Sequence, residues 1–471
     1  MRKWVLFIVL LCGFPLLSRA QSLDEIIRLA QDSTILAFQS RYQFEYNTQH
    51  YAQFQALRKP QLEFRFTPGY QRIIADPDRP YVYLRNFDRF STAAKLRLSQ
   101  KVTGWGGDAF VESQALWSEY FGRDINNRPR DIVAVPFSVG YQQSLIGYNP
   151  YRWEKLVEDQ RLEAARKELN YQLHRIAEEA TIRFFRLACA QGKLDMCLRN
   201  KETADTLYAI AKEKASIAMI TLAELRSLEL QRLNAANALL SARGEEQLAR
   251  ESLLSYLRTD AIPSGARLTV PTHTKQILLS DEDVLELARN NSPALQKKEM
   301  EITEALQQQH KVRREQGVKV GVDLSVGMQQ MSNTFIGAYR DPQFFMLGGI
   351  TLSVPIMDHG AAKKGVAAAS AWKAREEQAL REEERALAED VKTTLDNLRS
   401  HEQLLTHTAE AVAMADEVFS LTAENYANGL CDINTYSLAQ SRRDNAYNQH
   451  LTALAGYWTT YYHLLTLTQH E

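Results

Sequence analysis

The chain states one pattern twice at long range, and this limits its architecture more than any local signal does. Ser22-Leu23-Asp24-Glu25-Ile26-Ile27-Arg28-Leu29-Ala30-Gln31-Asp32 returns after 258 residues as Ser280-Asp281-Glu282-Asp283-Val284-Leu285-Glu286-Leu287-Ala288-Arg289-Asn290. Ile26 then matches Val284, Leu29 matches Leu287 and Ala30 matches Ala288. Each copy leads through alternating apolar and polar residues into a very long helical stretch, a turn and a second long helix. Length alone would suggest about three domains. The duplication implies two halves of one object instead.

The alternating zones read as strands. Val318, Val320, Val322, Leu324, Val326 and Met328 interleave with Lys319, Gly321, Asp323, Ser325, Gly327 and Gln329, which gives one apolar and one polar face. Phe344, Met346, Ile350, Leu352, Val354 and Ile356 repeat the pattern, as do Leu62, Phe64 and Phe66, and Val133, Val135, Phe137, Val139 and Tyr141. That makes two strong strands per half and four in all, or six if the 92–119 region is counted. Such alternation suits a membrane barrel as well as a half-buried sheet. The smallest membrane barrels use about eight strands, so one chain is too short of strands to close one. A membrane role therefore requires several chains to share a wall.

The helices are read from their seams and their punctuation. Leu162, Ala165, Leu169, Leu173, Ile176, Ala180, Phe184 and Leu187 recur at helical spacing. In the second half Val391, Leu398, Leu405, Val412, Phe419 and Tyr426 recur every seven residues. Asn149-Pro150 opens the first long helix, which runs to about Glu213, roughly 64 residues or about 95 Å. Asp358-His359-Gly360 opens the second, which closes near Ala427 before Asn428-Gly429. Return helices are expected over 221–258 and 434–465. The junction glycines Gly147 and Gly360 differ by 213, so the first half holds an insertion of about 45 residues, placed within 69–130 as an extra hairpin or a surface loop.

Charge and motifs narrow the function classes. With 56 basic and 57 acidic residues the net charge is −1, which offers nucleic acid no overall attraction. Arg2 and Lys3, an apolar core from Trp4 to Leu17, and Ser18-Arg19-Ala20 have the order of a secretory signal. Beyond it no run of 18 apolar residues exists, so no transmembrane helix is expected. Cys189, Cys197 and Cys431 are an odd set for an exported chain and read as packing residues rather than a disulfide scaffold. His401-Glu402 and His407 lack the spacing that puts two histidines on one helix face for zinc. Gly104-Trp105-Gly106-Gly107 lacks the lysine and helix of a phosphate loop, so catalytic, cofactor and metal sites are all read as none. Arg375-Glu376-Glu377 and Arg381 to Arg385 read as solvated helix faces. Tyr81, Tyr83, Phe87, Phe90, Trp105, Trp117, Tyr120 and Phe121 crowd the strand zone as an interfacial girdle would.

Three passages together resemble the TolC-like outer-membrane efflux proteins. Val284 to Pro293 looks like that family's repeat-opening segment, with Ile26 to Ser33 a fainter copy. Leu352-Ser353-Val354-Pro355-Ile356-Met357-Asp358-His359-Gly360 is similar to its strand that turns into a long helix. Glu424-Asn425-Tyr426-Ala427-Asn428-Gly429-Leu430-Cys431-Asp432-Ile433 resembles its helical tip. The resemblance implies a homotrimer in which duplicated long α-helical hairpins form an α-barrel across the periplasm. Four strands per chain would contribute to a shared 12-stranded β-barrel in the outer-membrane lipid of a Gram-negative bacterium.

It also implies tips around 214–221 and 428–434 that meet a periplasmic adaptor protein and, through it, an inner-membrane pump, in a tripartite efflux or type I secretion system. Ser216, Ile217, Gly429, Leu430 and Asp432 are the expected adaptor contacts, with Asp432 and Thr435 lining the aperture. Matching on Gly429 places Thr435 and Leu438 where family members carry carboxylates, and the first tip, Ala215 to Thr221, lacks the glycine. The expected organisation is a signal peptide over 1–20 and a first repeat over 21–265, with the insertion at 69–130 and a hairpin at 150–258. A second repeat covers 266–471, with a helix at 281–316, strands at 317–357 and a hairpin at 360–465. The alternative is a periplasmic adaptor, or membrane fusion protein, with one helical hairpin between small β domains.

Overall fold

A computed structural model describes residues 22–470 except 74–86, 122–129, 218, 259–265, 272, 276–278, 316 and 429. The signal segment, Tyr81, Tyr83 and Gly429 therefore lie outside the described residues. Chain order runs α1 (Leu23–Ser33), α2 (Ile35–Leu57), β1 (Gln61–Ile73), β2 (Phe87–Val102), β3 (Gly107–Phe121), β4 (Arg130–Ile146), α3 (Pro150–Ser216) and α4 (Leu222–Leu257). It continues with α5 (Asp281–Asn291), α6 (Pro293–Glu315), β5 (Lys319–Ser332), the single turn α7 (Gly337–Arg340), β6 (Gln343–Ser353), α8 (Ala361–Ala427) and α9 (Ile433–Thr468).

The duplication governs helix lengths. α1 and α5 have 11 residues each, α2 and α6 have 23, α3 and α8 have 67, and α4 and α9 have 36. Helices before the strands are offset by 258 and those after by 211, so the insertion is 47 residues. Helix ends therefore align Ile217 with Asn428, two residues from the pairing that the offset of 213 between Gly147 and Gly360 implies. The 281–316 segment is two helices, because Pro293 cannot extend the helix before it and Ser292 takes an extended conformation.

The insertion corrects the strand count. Among the described residues there are six strands, not four, in one antiparallel sheet of order β1-β2-β3-β4-β5-β6. The additional pair, β2 and β3, turns at Gly106, whose φ of +79° suits a residue without a Cβ. Gly140 of β4 permits another close approach, since a Cβ there would collide with the Phe110 ring.

Local chemistry sets the helix starts. Ser22 and Thr221 form capping boxes with Glu25 and Glu224, and Ser280 and Asp432 accept from the backbone N–H groups of Asp283 and Thr435. Asn149 accepts from the Tyr151 N–H at 3.1 Å with Pro150 at the first helical position. Asp358 accepts from the Gly360 and Ala362 N–H groups at 2.9 and 3.0 Å, opening α8 after a left-handed pair at His359 and Gly360.

The chain divides into two compact units, each drawing on both repeats: residues up to Phe44, Ala165–Pro293 and Glu383 onward in one, Glu45–Ala164 and Ala294–Glu382 in the other. The first unit holds the main core. Ile176, Phe184 and Leu187 of α3, Leu253 and Leu257 of α4, Val391 and Leu398 of α8, and Tyr457, Trp458 and Leu464 of α9 pack with Ile26 of α1 and Val284 of α5. Both repeat-opening segments are thus anchored by the positions that match across the duplication. Cys189, Cys197 and Cys431 are free thiols.

The second unit holds the sheet and a departure from expectation. Glu376, read as solvated, is only 3% exposed. It accepts from Arg375 and from Trp372 Nε1 at 3.0 Å, with Lys298 Nζ at 3.7 Å. The Arg375 guanidinium, helped by the indole N–H and Lys298, holds its carboxyl below the ordinary glutamate value although burial opposes this.

Candidate functional site

No pocket of the described residues carries a catalytic constellation; the features that suit a function are a sheet face and two helical turns. Directly opposed residues of an antiparallel ladder lie on one face. Leu62 pairs with Leu98, Leu98 with Val111, Val111 with Val139, Val139 with Val326, and Val326 with Met346. One apolar row therefore crosses all six strands. Phe64, Leu96, Trp117, Phe137, Met328, Phe344 and Ile350 extend it, and all are exposed. A soluble sheet buries such a face, because leaving large apolar side chains in water costs about 1.5–3 kcal/mol each. An apolar face contiguous over so many strands needs a covering phase.

Aromatic residues lie where the girdle reading put them only in part. Phe90 pairs across from Tyr70 and Phe121 from Asp88, on the apolar face toward the loop end of the strands, whereas Tyr120 falls on the polar face. Trp105 is exposed in the β2–β3 turn at the opposite end. β1 and β6 are the terminal strands of the sheet, so among the described residues each has one edge without a partner strand. No helix of the described residues is long and apolar enough to cross a membrane.

The helical turns lie in the first unit. Each spans five residues, 217–221 and 428–432, so the absence of glycine from the first does not lengthen it. Ser216 Oγ donates to the Glu213 carbonyl at 2.6 Å and the Met219 N–H reaches the Lys214 carbonyl at 2.9 Å. In the second turn the Leu430 N–H reaches the Asn425 carbonyl at 2.8 Å. Leu207, Ala211, Leu228 and Tyr436, with Phe419, Tyr426 and Ile433, pack the two hairpins together just behind the turns. The turns themselves present apolar tips to solvent: Ile217 is 65% exposed and Leu430 74%.

Asp432 and Thr435 are brought together, but as a cap. The Thr435 N–H donates to the Asp432 carboxylate at 2.9 Å and its hydroxyl at 2.5 Å. These bonds, led by the hydroxyl, hold the Asp432 carboxyl below its ordinary value. A polar cluster that sequence reading missed lies behind the tips, where Asn200 of α3 donates to Asp444 of α9 at 2.5 Å and accepts from Gln440. Gln440 and Asp444 stand four residues apart on α9, a spacing that shares one helix face. That pair was the available signal.

Residues 284–468 match the family model for the outer membrane efflux protein. No curated protein sequence matches the chain. Among solved structures, a membrane protein of Pseudomonas aeruginosa aligns with TM-score 0.68 at 14% identity, covering 95% of this chain and 90% of that one. The CmeC outer membrane channel of Campylobacter jejuni aligns with TM-score 0.68 at 12% identity, over 95% and 85% of the two chains. The outer membrane protein VceC of Vibrio cholerae gives 0.66 at 11%, over 95% of each. The fold, a pair of long helical hairpins with one antiparallel sheet, is the one these outer membrane channels share. Residues 284–468 thus carry the outer membrane efflux protein pattern, and over nearly its whole length the chain resembles the TolC-like channels in fold. The single-hairpin adaptor architecture does not fit, because two long hairpins are present.

Proposed function

We propose that this protein is the passive exit duct of a tripartite efflux or type I secretion system, a homotrimer seated in a Gram-negative outer membrane. The single observation carrying this reading is the unbroken apolar row from Leu62 to Met346 on a sheet whose two terminal strands lack outer partners. In lipid an open sheet edge leaves backbone N–H and C=O groups unsatisfied at several kcal/mol each, so the sheet must close. With an even number of strands, β6 of one copy runs antiparallel to β1 of the next, and head-to-tail addition closes a ring. Three copies supply eighteen strands, six from each, in place of the twelve that four per chain would give.

On this reading the tips at 217–221 and 428–432 form the periplasmic entrance and dock an adaptor that links the duct to an inner-membrane pump. Ser216, Ile217, Gly429, Leu430 and Asp432 make that contact, and Asp432 with Thr435 borders the aperture. The pump supplies the energy; the duct supplies a closed polar passage. Mass measurement in detergent should give three chains per particle, and the particle should conduct in planar bilayers. A monomer or dimer without conductance would overturn the proposal.

A further inference from the structure

The inserted hairpin changes the face opposite the lipid. Along the ladder Glu63 opposes Arg97, which opposes Glu112; Arg65 opposes Lys95; and Lys101 opposes Asp108. On the polar face β1–β3 thus carry Arg65, Arg89, Lys95, Arg97 and Lys101 against Glu63, Asp108 and Glu112. The same face of β4–β6 carries Lys319 against Asp131 and Asp323. Charge is segregated across the sheet. All the basic side chains but Lys319 stand on β1 and β2, and β2 exists only because of the insertion.

These cations form a groove of about 340 Å³ lined by Lys59, Arg65, Lys95, Arg97, Lys101 and Tyr151, among others, with Glu63 and Asp108 its acidic members. The acids neutralise it only in part, since Lys59, Arg65, Lys95, Arg97 and Lys101 stand against Glu63, Asp108 and Glu112. Glu112 is shared by Lys95 at 2.6 Å and Arg97 at 3.7 Å, Glu63 binds Arg65 at 2.7 Å, and Asp108 accepts from the Tyr151 hydroxyl at 2.9 Å. The Arg97 guanidinium lies 3.9 Å from the Phe110 ring centroid, and Phe110 is itself wedged against Gly140, so the cation is held in place.

We infer that the β2–β3 hairpin furnishes an anion-recruiting groove on the lumen side of the barrel, formed by Arg65, Lys95, Arg97 and Lys101, and that it favours solutes bearing phosphate or carboxylate groups. Its place on the lumen side rests on the duct reading, whereas the groove rests on strand register and side-chain geometry. A soluble anion is the occupant, because the groove faces away from the apolar row that lipid would cover. Cationic walls beside a low-dielectric sheet concentrate such anions locally.

Ser99 lines the groove and can report on it as Ser99→Cys in the full chain, purified in a non-ionic detergent. Labelling at that position, read by peptide mass, should be at least about tenfold faster with an anionic than with a cationic methanethiosulfonate of similar size. The ratio should fall toward one in the Lys95→Gln/Arg97→Gln/Lys101→Gln background, and inorganic pyrophosphate should protect the thiol in the parent. A ratio of one in the parent, a ratio unchanged in the triple variant, or protection by anionic lipid but not by pyrophosphate would overturn the inference. Failure of the duct reading is separately visible as a monomeric, non-conducting particle with an intact labelling ratio.

Discussion

Asn291 donates its side-chain amide to the carbonyl of Thr468 at 2.7 Å, so the end of one repeat-opening helix caps the end of the return helix of the same repeat. Gln469 reciprocates, donating to the Asn291 carbonyl at 2.9 Å. The first repeat solves the same problem with a shorter group: Ser33 Oγ lies 2.6 Å from the Leu257 carbonyl. In both, a terminal carbonyl that the helix leaves unsatisfied finds a donor. Asn291→Ala should lower stability by about 1 kcal/mol, the usual net worth of one such bond. Denaturant titration of the purified protein checks this, and an unchanged midpoint would remove the cap from the account.

His463 joins three helices of the first unit. Its Nδ1 lies 3.1 Å from Glu178 of α3 and its Nε2 3.5 Å from Asp390 of α8. The Glu178 hydrogen bond, aided by both carboxylate charges, raises the imidazole above its ordinary value while burial pulls the other way. A raised folded-state value means that the protonated pair stabilises fully below the unfolded value near 6.5 and that this contribution disappears as pH rises through the folded value. The thermal advantage of the parent over His463→Gln should therefore be largest at mildly acidic pH and shrink toward alkaline pH. An advantage independent of pH would contradict it.

Glu376 has the opposite sign. Its carboxyl is held low, chiefly by Arg375, so its stabilisation is present above the unfolded value near 4.5 and lost as pH falls through the folded value. Glu376→Gln should lower the thermal midpoint at neutral pH and leave little difference in strong acid. Parallel melting curves across that range would return Glu376 to a solvated role.

Gly140 tests the register of the sheet. A methyl group there would collide with Phe110, which is 8% exposed and packed under the Arg97 guanidinium. Gly140→Ala should cost about 1–3 kcal/mol, and pairing it with Phe110→Ala should recover part of the loss. Thermal melting of single and double variants decides; strictly additive losses would mean that the two do not touch.

Ile217 and Leu430 test the tips. As exposed apolar residues on short turns they are expected to anchor an adaptor, and Ile217→Glu with Leu430→Glu should reduce adaptor cross-linking at least about tenfold, the effect of losing interface anchors worth about 1.4 kcal/mol or more. The oligomer and its bilayer conductance should be unaltered. Undiminished cross-linking would place docking elsewhere.

Much of this was legible in the linear chain because periodicity survives translation into structure. The duplication at Ser22 and Ser280 is where both copies are capped, and the alternation from Val318 to Met328 is the strand whose apolar side joins the exposed row. Proline and glycine at Pro150 and Gly360 marked helix starts through backbone rules that act locally. The inserted hairpin was less visible, since Lys95 to Leu98 alternates cleanly only over four residues after the small Ala93 and Ala94, and Asp88 sits on the apolar face.

Other properties depended on what came together from afar. Glu376 looks like any surface carboxylate until Lys298 of α6 joins Trp372 and Arg375 around it. The sequence alone determined helix length, strand polarity and duplication, because each is set by neighbours within a few residues. Only the tertiary structure decided that six strands share one face and that Arg65, Lys95 and Arg97 converge on the other, because strand register is a long-range choice.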